Sequence, residues 1–397
     1  MRILFLNPGG QLGGAELSLL DVMASLQAER GEWKLGLVAS DDGPLAARAT
    51  ELGIETHVAP FPPAIAQLGD ASAPRISFPL CAKLVSSAPL AWRYERNLAR
   101  VIRTFAPDVL HTNGFKMHVL GALARGVKPV LWHVRDFVSG RPVIAHLLSY
   151  VANGSMFAIA NSDAVADDFR KALRSRVGVQ TVHNAIDLNQ FCPVGPALDL
   201  DALSGLPQSV PVVRVGLIAT MAFWKGHDTF LRALALLPAK LNVRGYIVGG
   251  RIYQTASKQR SLEELHSMAA SLGISKRTGF TGHVSDTAAA IRSLDIVVHA
   301  STEPEPFGRV IVEAMACRRA VITSMAGGPA EIVTPEVDAL THVPGDPYSL
   351  AAAITRLAEN EALRHKLADA ALKHASSHFN RQRLAADLIP IYKKLAA

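Results

Sequence analysis

The run Ile296-Val297-Val298-His299-Ala300, bounded by Asp295 and Ser301, has the length and β-branched content of a strand buried on both faces. Pro304 and Pro306 then break the chain, and Gly308 opens an apolar stretch of helical period running to about Cys317. Strand, tight loop and helix in that order make the repeating unit of a parallel α/β sheet. In such a sheet the loop lies at the carboxyl end of its strand, where ligands bind. The amides of Gly308, Arg309 and Val310 would then point into the crevice as an anion site.

Two carboxylates frame this loop. Glu305 lies within it, and Glu313 lies eight residues on, in the second turn of the helix. Helical side chains lean toward the N-terminus, so Glu313 can reach back to the crevice that Glu305 faces. Val310, Ile311, Val312, Ala314, Met315 and Ala316 make that helix apolar nearly all round, which buries Glu313. A buried carboxylate needs donors. A pair of sugar hydroxyls supplies two, and nearby backbone amides or an arginine serve equally well.

The segment Glu305-Pro-Phe-Gly-Arg-Val-Ile-Val-Glu313, followed by Ala-Met-Ala, resembles the Glu-x7-Glu signature of the retaining, nucleotide-sugar-dependent glycosyltransferases of family 4. The resemblance implies two doubly wound, Rossmann-like α/β domains facing each other across a cleft, the GT-B arrangement. It also implies that Glu313 holds the donor ribose, that Glu305 holds hydroxyls of the transferred sugar, and that Phe307, Gly308, Arg309 and Val310 line the donor site.

At 397 residues the chain has room for two or three domains. Nearly half of it is hydrophobic, yet no apolar run approaches the ~20 residues of a membrane span. Met1-Arg-Ile-Leu-Phe-Leu-Asn-Pro reads as a first buried strand and not as a signal peptide. Cys81, Cys192 and Cys317 have neither metal spacing nor an even disulfide count, which suits a reducing cytoplasm. Between Arg75 and Arg141 there are eleven Lys/Arg against three Asp/Glu. Arg93, Arg96, Arg100 and Arg103 recur at helical spacing among Trp92, Leu98, Val101, Ile102 and Phe105, which makes an amphipathic basic helix. Such a face is either simply solvated or attracted to an anionic membrane surface or an acidic acceptor. Nucleic acid is not expected, because no recognised binding motif accompanies the charge.

In the N-terminal half, strand 2–7 feeds the loop Asn7-Pro-Gly-Gly-Gln-Leu-Gly-Gly, and a helix begins at Ala15. Glycines there let a backbone approach an anion, but the spacing is not that of a dinucleotide fingerprint. A helix near 43–52, a strand near 54–58, an irregular Pro-rich stretch from Pro60 to about Pro79 and a long helix of 83–105 follow. Strands are expected at Val109–Thr112, Val130–His133 and Met156–Ala160. Gly13-Gly14-Ala15-Glu16 resembles the family loop that lies across from the donor diphosphate. His133, at a strand end, is by itself as readily a structural residue as a site residue; the resemblance implies contact with the donor sugar. Asn113 and Asn161 end neighbouring strands. Asn184-Ala-Ile-Asp187 resembles the run that closes the first domain, here residues 1–190.

Residues 191–211 carry the Pro and Gly content of a linker. Asp199-Leu-Asp201 within it has the form of a metal-holding pair, but no strand leads into it, so it is expected to be solvated and no catalytic metal is expected. The second domain, 212–378, is expected to hold strands at 212–219, 243–248 and Ala320–Thr323, with helices of about 227–237 and 259–272. Lys225, beside Gly226, resembles the family lysine on the donor phosphates. Five residues earlier, where the family usually has arginine, stands Thr220, and Arg251 or Arg309 would replace the missing cation. The loop around Gly282 would line the base through backbone groups. Gly327-Gly328 ahead of another helix again suits phosphate or sugar oxygens. Three closing helices, about 347–359, 361–377 and 380–395, end with residues 379–397 returning to the first domain.

Taken together, the resemblance implies a hexosyl transfer with retention from a nucleoside diphosphate sugar, a UDP-sugar ahead of a GDP-sugar. The acceptor would be a hydroxyl of a glycan, a lipid-linked glycan or a small molecule. Glu305, Lys225 and His133 are the expected catalytic groups. Two other readings share the architecture: a sugar-nucleotide 2-epimerase, and a degenerate partner subunit that binds nucleotide only. The second is motivated by Thr220.

Overall fold

The computed structural model describes residues 1–62, 78–208, 211–250 and 259–397, with residues 78–88 as backbone only. The chain divides into two units, Met1–Ala185 with Arg381–Ala397, and Ile186–Asn380. Each is an α/β unit built on one parallel sheet.

The first unit holds β1 (Arg2–Leu6), β2 (Lys34–Ala39), β3 (Glu55–Val58), β4 (Val109–Asn113), β5 (Val130–Val134), β6 (Met156–Ala160) and β7 (Gly178–Thr181). Their order is β3-β2-β1-β4-β5-β6-β7, so the winding reverses between β1 and β4. Strands β1, β4 and β5 are almost entirely buried. The apolar runs of β1 and β5 show why a parallel strand covered on both faces lacks polar alternation, while β4 buries His111, Thr112 and Asn113 as well. The basic helix spans Phe78–Phe105 and buries Tyr94, Leu98, Ile102 and Phe105, while Arg93, Arg96, Arg100 and Arg103 remain exposed. Trp92 differs from the apolar-face expectation: it is 60% exposed and lies under the Arg96 guanidinium, 4.6 Å from ring centroid to carbon. The last helix, Arg383–Ala396, packs on the first unit, where Leu384, Leu388 and Tyr392 share a core with Ile3, Phe5 and Leu19.

The second unit holds β8 (Val213–Ile218), β9 (Val243–Val248), β10 (Thr278–Gly282), β11 (Ile296–His299), β12 (Ala320–Ser324) and β13 (Leu340–His342), in the order β10-β9-β8-β11-β12-β13. Here the reversal falls between β8 and β11. The expected strands and helices are present to within a few residues. Three strands were not anticipated, β7, β10 and β13, and all three are sheet edges. An edge strand is short, half-solvated and carries little of the apolar run that announces a buried one. In β10 the two glycines, Gly279 and Gly282, remove the signal further.

The expectation of a solvated Asp-x-Asp linker is corrected. Residues 186–208 pack with the second unit, and Asp199 caps a short helix, Leu200–Leu203, by accepting from the Ala202 amide at 3.0 Å. Asp201 is 2% exposed. It accepts from Arg244 at 2.5 Å, from the Tyr246 hydroxyl at 2.6 Å and from Arg214 at 3.4 Å. Burial alone would raise its carboxyl, but the bonds from Tyr246 and Arg244 hold it below the usual range. The pair is a structural anchor at the amino ends of β8 and β9, which the sequence could not reveal because its partners lie 43 and 45 residues away. Among the described residues no helix is long and apolar enough to cross a membrane.

Candidate functional site

In the second unit, the loops that follow β8, β11 and β12 converge at the carboxyl ends of these neighbouring strands. Each chain segment makes a bond that fixes the next. The Thr302 amide donates to the Trp224 carbonyl at 2.8 Å, the Glu305 amide to the Ala326 carbonyl at 3.0 Å and the Gly328 amide to the Glu305 carbonyl at 2.8 Å. Gly226 and Gly327 make this closeness tolerable. Both have positive φ, 75° and 78°, and a Cβ would lie 1.9 Å from the Ala300 carbonyl oxygen at Gly226 and 2.3 Å from that of Glu305 at Gly327.

Lys225 ends a single 3-10 turn, Phe223–Lys225, and its ammonium lies over the Trp224 ring at 4.0 Å. Its Nζ donates to Glu305 Oε2 at 2.7 Å. The same carboxylate oxygen accepts from Ser301 Oγ at 3.0 Å and from His299 Nε2 at 3.3 Å, and His299 Nδ1 lies 3.0 Å from Thr323 Oγ1. Glu305 is 8% exposed. Burial pushes its carboxyl up, but the Lys225 charge and the His299 bond outweigh this and hold it at about 2. At neutral pH the site therefore contains a carboxylate fixed in its charged form beside an ammonium with further donors.

Glu313 and Arg309 form a second pair. The helix Arg309–Ala316 starts from Gly308 in the left-handed region, φ 95°, and Arg309 Nε donates to Glu313 Oε1 at 2.8 Å. Of the two ways of satisfying Glu313, the nearby arginine is thus present in this structure. Phe307 is 2% exposed and packs against Phe379, ring centroids 6.0 Å apart, so any ligand contact it makes would use its backbone. Thr220 and Gly282 end or follow β8 and β10, and Gly282 accepts from the Gly249 amide at 2.9 Å. Arg251 lies outside the described residues.

In the first unit, Gly13 caps the helix Gly14–Glu29, and its amide donates to Glu16 Oε2 at 3.1 Å. His133, expected on a rim, is instead 2% exposed. Its Nδ1 faces His111 Nε2 and Arg135 Nη2, each at 3.1 Å. Arg135 also donates to Asn113 Oδ1 at 2.5 Å and Asn184 Oδ1 at 2.8 Å. Asn113 in turn donates to Asn7 Oδ1 at 2.6 Å. Asn161 Nδ2 reaches the Arg135 carbonyl at 3.4 Å. Sequence reasoning missed His299, Ser301, His111 and Arg135. The only signal for the histidines was a polar residue inside a buried strand, which needs a partner the sequence does not name.

The family model for glycosyl transferases group 1 matches residues 214–374, and that for glycosyltransferase family 4 matches residues 12–190. The chain belongs to the group 1 glycosyltransferases. This group 1 chain is similar, with 30% identity over 214 residues, to a lipopolysaccharide core biosynthesis mannosyltransferase, LpcC, of Rhizobium leguminosarum, covering 54% of this chain and 59% of LpcC. It is 32% identical over 233 residues to a D-inositol 3-phosphate glycosyltransferase of Salinispora tropica, covering 55% of this chain and 46% of that protein. The aligned segments span about half the length of these curated relatives. Among solved structures, Anabaena HepE in complex with UDP-glucose is similar along 99% of this chain and 100% of its own, with 27% identity and a TM-score of 0.79. HepE has also been solved with UDP, and with UDP and glucose. The lipopolysaccharide glycosyltransferase WaaG, 15% identical with a TM-score of 0.69, shares the fold.

Proposed function

We propose that this glycosyltransferase moves a hexose-type sugar from a nucleoside diphosphate sugar, UDP ahead of GDP, to an acceptor hydroxyl with the anomeric configuration retained. The observation that carries the proposal is the partly buried Lys225–Glu305 pair at the winding reversal of the second sheet, where ligands bind in open α/β sheets. The UDP and UDP-glucose complexes of the HepE structure support the choice of donor.

In this reading the C1 bond to the diphosphate breaks, the acceptor oxygen bonds to C1 on the same face, and the acceptor proton passes to the departing diphosphate. Lys225 and the amides at Gly308, Arg309 and Val310 stabilise the charge that develops on that diphosphate, without a metal. Glu305, held ionised, accepts from sugar hydroxyls, and Glu313 accepts from the ribose in exchange for part of its contact with Arg309. Gly13 and Gly14 are assigned to the diphosphate as well, Thr220 and Gly282 to the nucleotide, and His133 to a sugar hydroxyl. The acceptor is a glycan, a lipid-linked glycan or a small molecule. The exposed arginines and Trp92 of helix Phe78–Phe105 favour a lipid-linked one, presented to a cytoplasmic enzyme at an anionic membrane surface.

Thermal unfolding with UDP, GDP, ADP, CMP or no nucleotide tests the proposal. A nucleotide at ~100 times its Kd adds about 2.7 kcal/mol to the state that binds it. UDP should stabilise the protein and Glu313→Ala should abolish the effect. Stabilisation that survives in Glu313→Ala would refute the ribose assignment. No stabilisation by any nucleotide would refute the donor site, and a nucleotide bound without transfer to any of a panel of acceptors would return the partner-subunit reading.

A further inference from the structure

A chain of buried polar groups runs from the last helix to His133, entirely within the first unit. Tyr392, fully buried on helix Arg383–Ala396, lies with its hydroxyl 2.5 Å from His111 Nδ1. His111 Nε2 lies 3.1 Å from His133 Nδ1. Arg135 Nη2 approaches the same His133 nitrogen at 3.1 Å.

The partners fix where the protons sit. A guanidinium has only donors, so His133 Nδ1 must offer its lone pair. The proton of a neutral His133 is then on Nε2. Because His133 Nδ1 is an acceptor, His111 Nε2 carries a proton and donates to it. His111 Nδ1 is therefore bare and accepts from the Tyr392 hydroxyl. Two donors sharing one lone pair also explain why both approach at 3.1 Å and neither is closer. Burial, reinforced by the nearby Arg135 charge, pushes both histidines well below their ordinary range, and burial pushes Tyr392 well up, so all three remain neutral. The chain ends on His133 Nε2, a buried group with no hydrogen-bond partner among the described residues. A buried donor left unmatched is costly, and a ligand oxygen would recover that cost.

We infer that Tyr392 and His111 are positioning residues, a relay that holds His133 as a neutral Nε2–H donor aimed at an acceptor oxygen of the donor sugar. The inference rests on the assignment of His133 to the sugar. It gives the terminal helix a function beyond packing, because Tyr392 supplies the proton that orders the relay. Without that hydroxyl, His111 Nδ1 is left a buried acceptor with its donor removed, which loosens the ring that donates to His133 Nδ1.

Ring-nitrogen NMR of 15N-histidine-labelled protein, with His133 assigned by its loss in His133→Ala, reads the relay directly. In the wild type, His133 should show a protonated Nε2 and a bare Nδ1; a protonated Nδ1 would overturn the relay. Tyr392→Phe keeps the ring and its packing. It should weaken UDP-glucose binding roughly five- to tenfold, the loss of about one neutral hydrogen bond, and leave UDP binding unchanged. His133→Ala should show the same split, and adding Tyr392→Phe to it should cost nothing more. Equal weakening of UDP and UDP-glucose, or an undiminished Tyr392→Phe effect in the His133→Ala background, would overturn the proposal. If His133→Ala leaves UDP-glucose binding intact, the sugar assignment fails, and the wild-type ring spectrum still decides the relay. That spectrum also decides it if Tyr392→Phe does not fold.

Discussion

Lys225→Met removes the ammonium that holds Glu305 in its charged form, and the structure sets the size of the effect. Nζ and Oε2 are 2.7 Å apart, with 19% and 10% of the two side chains exposed. Glu305 falls from its ordinary 4.5 to about 2, although burial acts in the opposite direction. At ~1.4 kcal/mol per pH unit this is about 3 kcal/mol of stability. A carboxyl lowered on folding contributes that stability above pH 4.5 and loses it as pH falls toward about 2. Once Lys225 is gone, only Ser301 and His299 still oppose burial, so Glu305 should rise from about 2. The variant should therefore lose about 3 kcal/mol at pH 7.5, a fall of roughly 6–12 °C in the unfolding temperature of the second unit. At pH 5, where the variant's Glu305 takes up a proton, the deficit should shrink. The double variant Lys225→Met/Glu305→Gln should recover most of the loss, because both charges leave together. Calorimetry on the wild type, Lys225→Met and the double variant at the two pH values measures all of this. An unchanged unfolding temperature at pH 7.5, or a deficit that is the same at pH 5, would refute the reasoning.

Gly226→Ala puts a Cβ 1.9 Å from the Ala300 carbonyl at a φ of 75°. It should cost about 2 kcal/mol or more, and weaken UDP binding by moving Lys225; a wild-type unfolding temperature would show that the loop yields freely. Asp201→Ala strands the mostly buried Arg244 and should cost about 3–5 kcal/mol. Since Asp201 sits at the amino ends of the strands, UDP affinity of the folded protein should not change, and a loss of affinity would tie this anchor to the site.

The strands and helices that were legible in the sequence are those whose signal is local. Ile296–His299 declares itself by an apolar run, and Arg309–Ala316 by Gly308 and two prolines before it. Three of the four edge strands, β7, β10 and β13, were silent, because each is short and carries little apolar run. Within the site, Glu305 and Glu313 were legible because they share one loop and helix, and Lys225 because, beside Gly226, it resembles the family lysine. Arg309 was legible as a residue but not as the partner of Glu313. Asp201 was misread because exposure is a property of what packs against a residue.

The sequence by itself determined the order of strand, loop and helix around Glu305, which follows from periodicity and short spacings, and through the resemblance carried by Glu305–Glu313 it pointed to the two α/β units and the family. Only the tertiary structure decided which charges meet. Lys225 and Glu305 are 80 residues apart in the chain, and His111 and Tyr392 are 281 apart. No local propensity encodes such distances. They are set when parallel strands bring their carboxyl ends side by side and a terminal helix buries a hydroxyl against a histidine, where each polar group must find a partner or wait for a ligand.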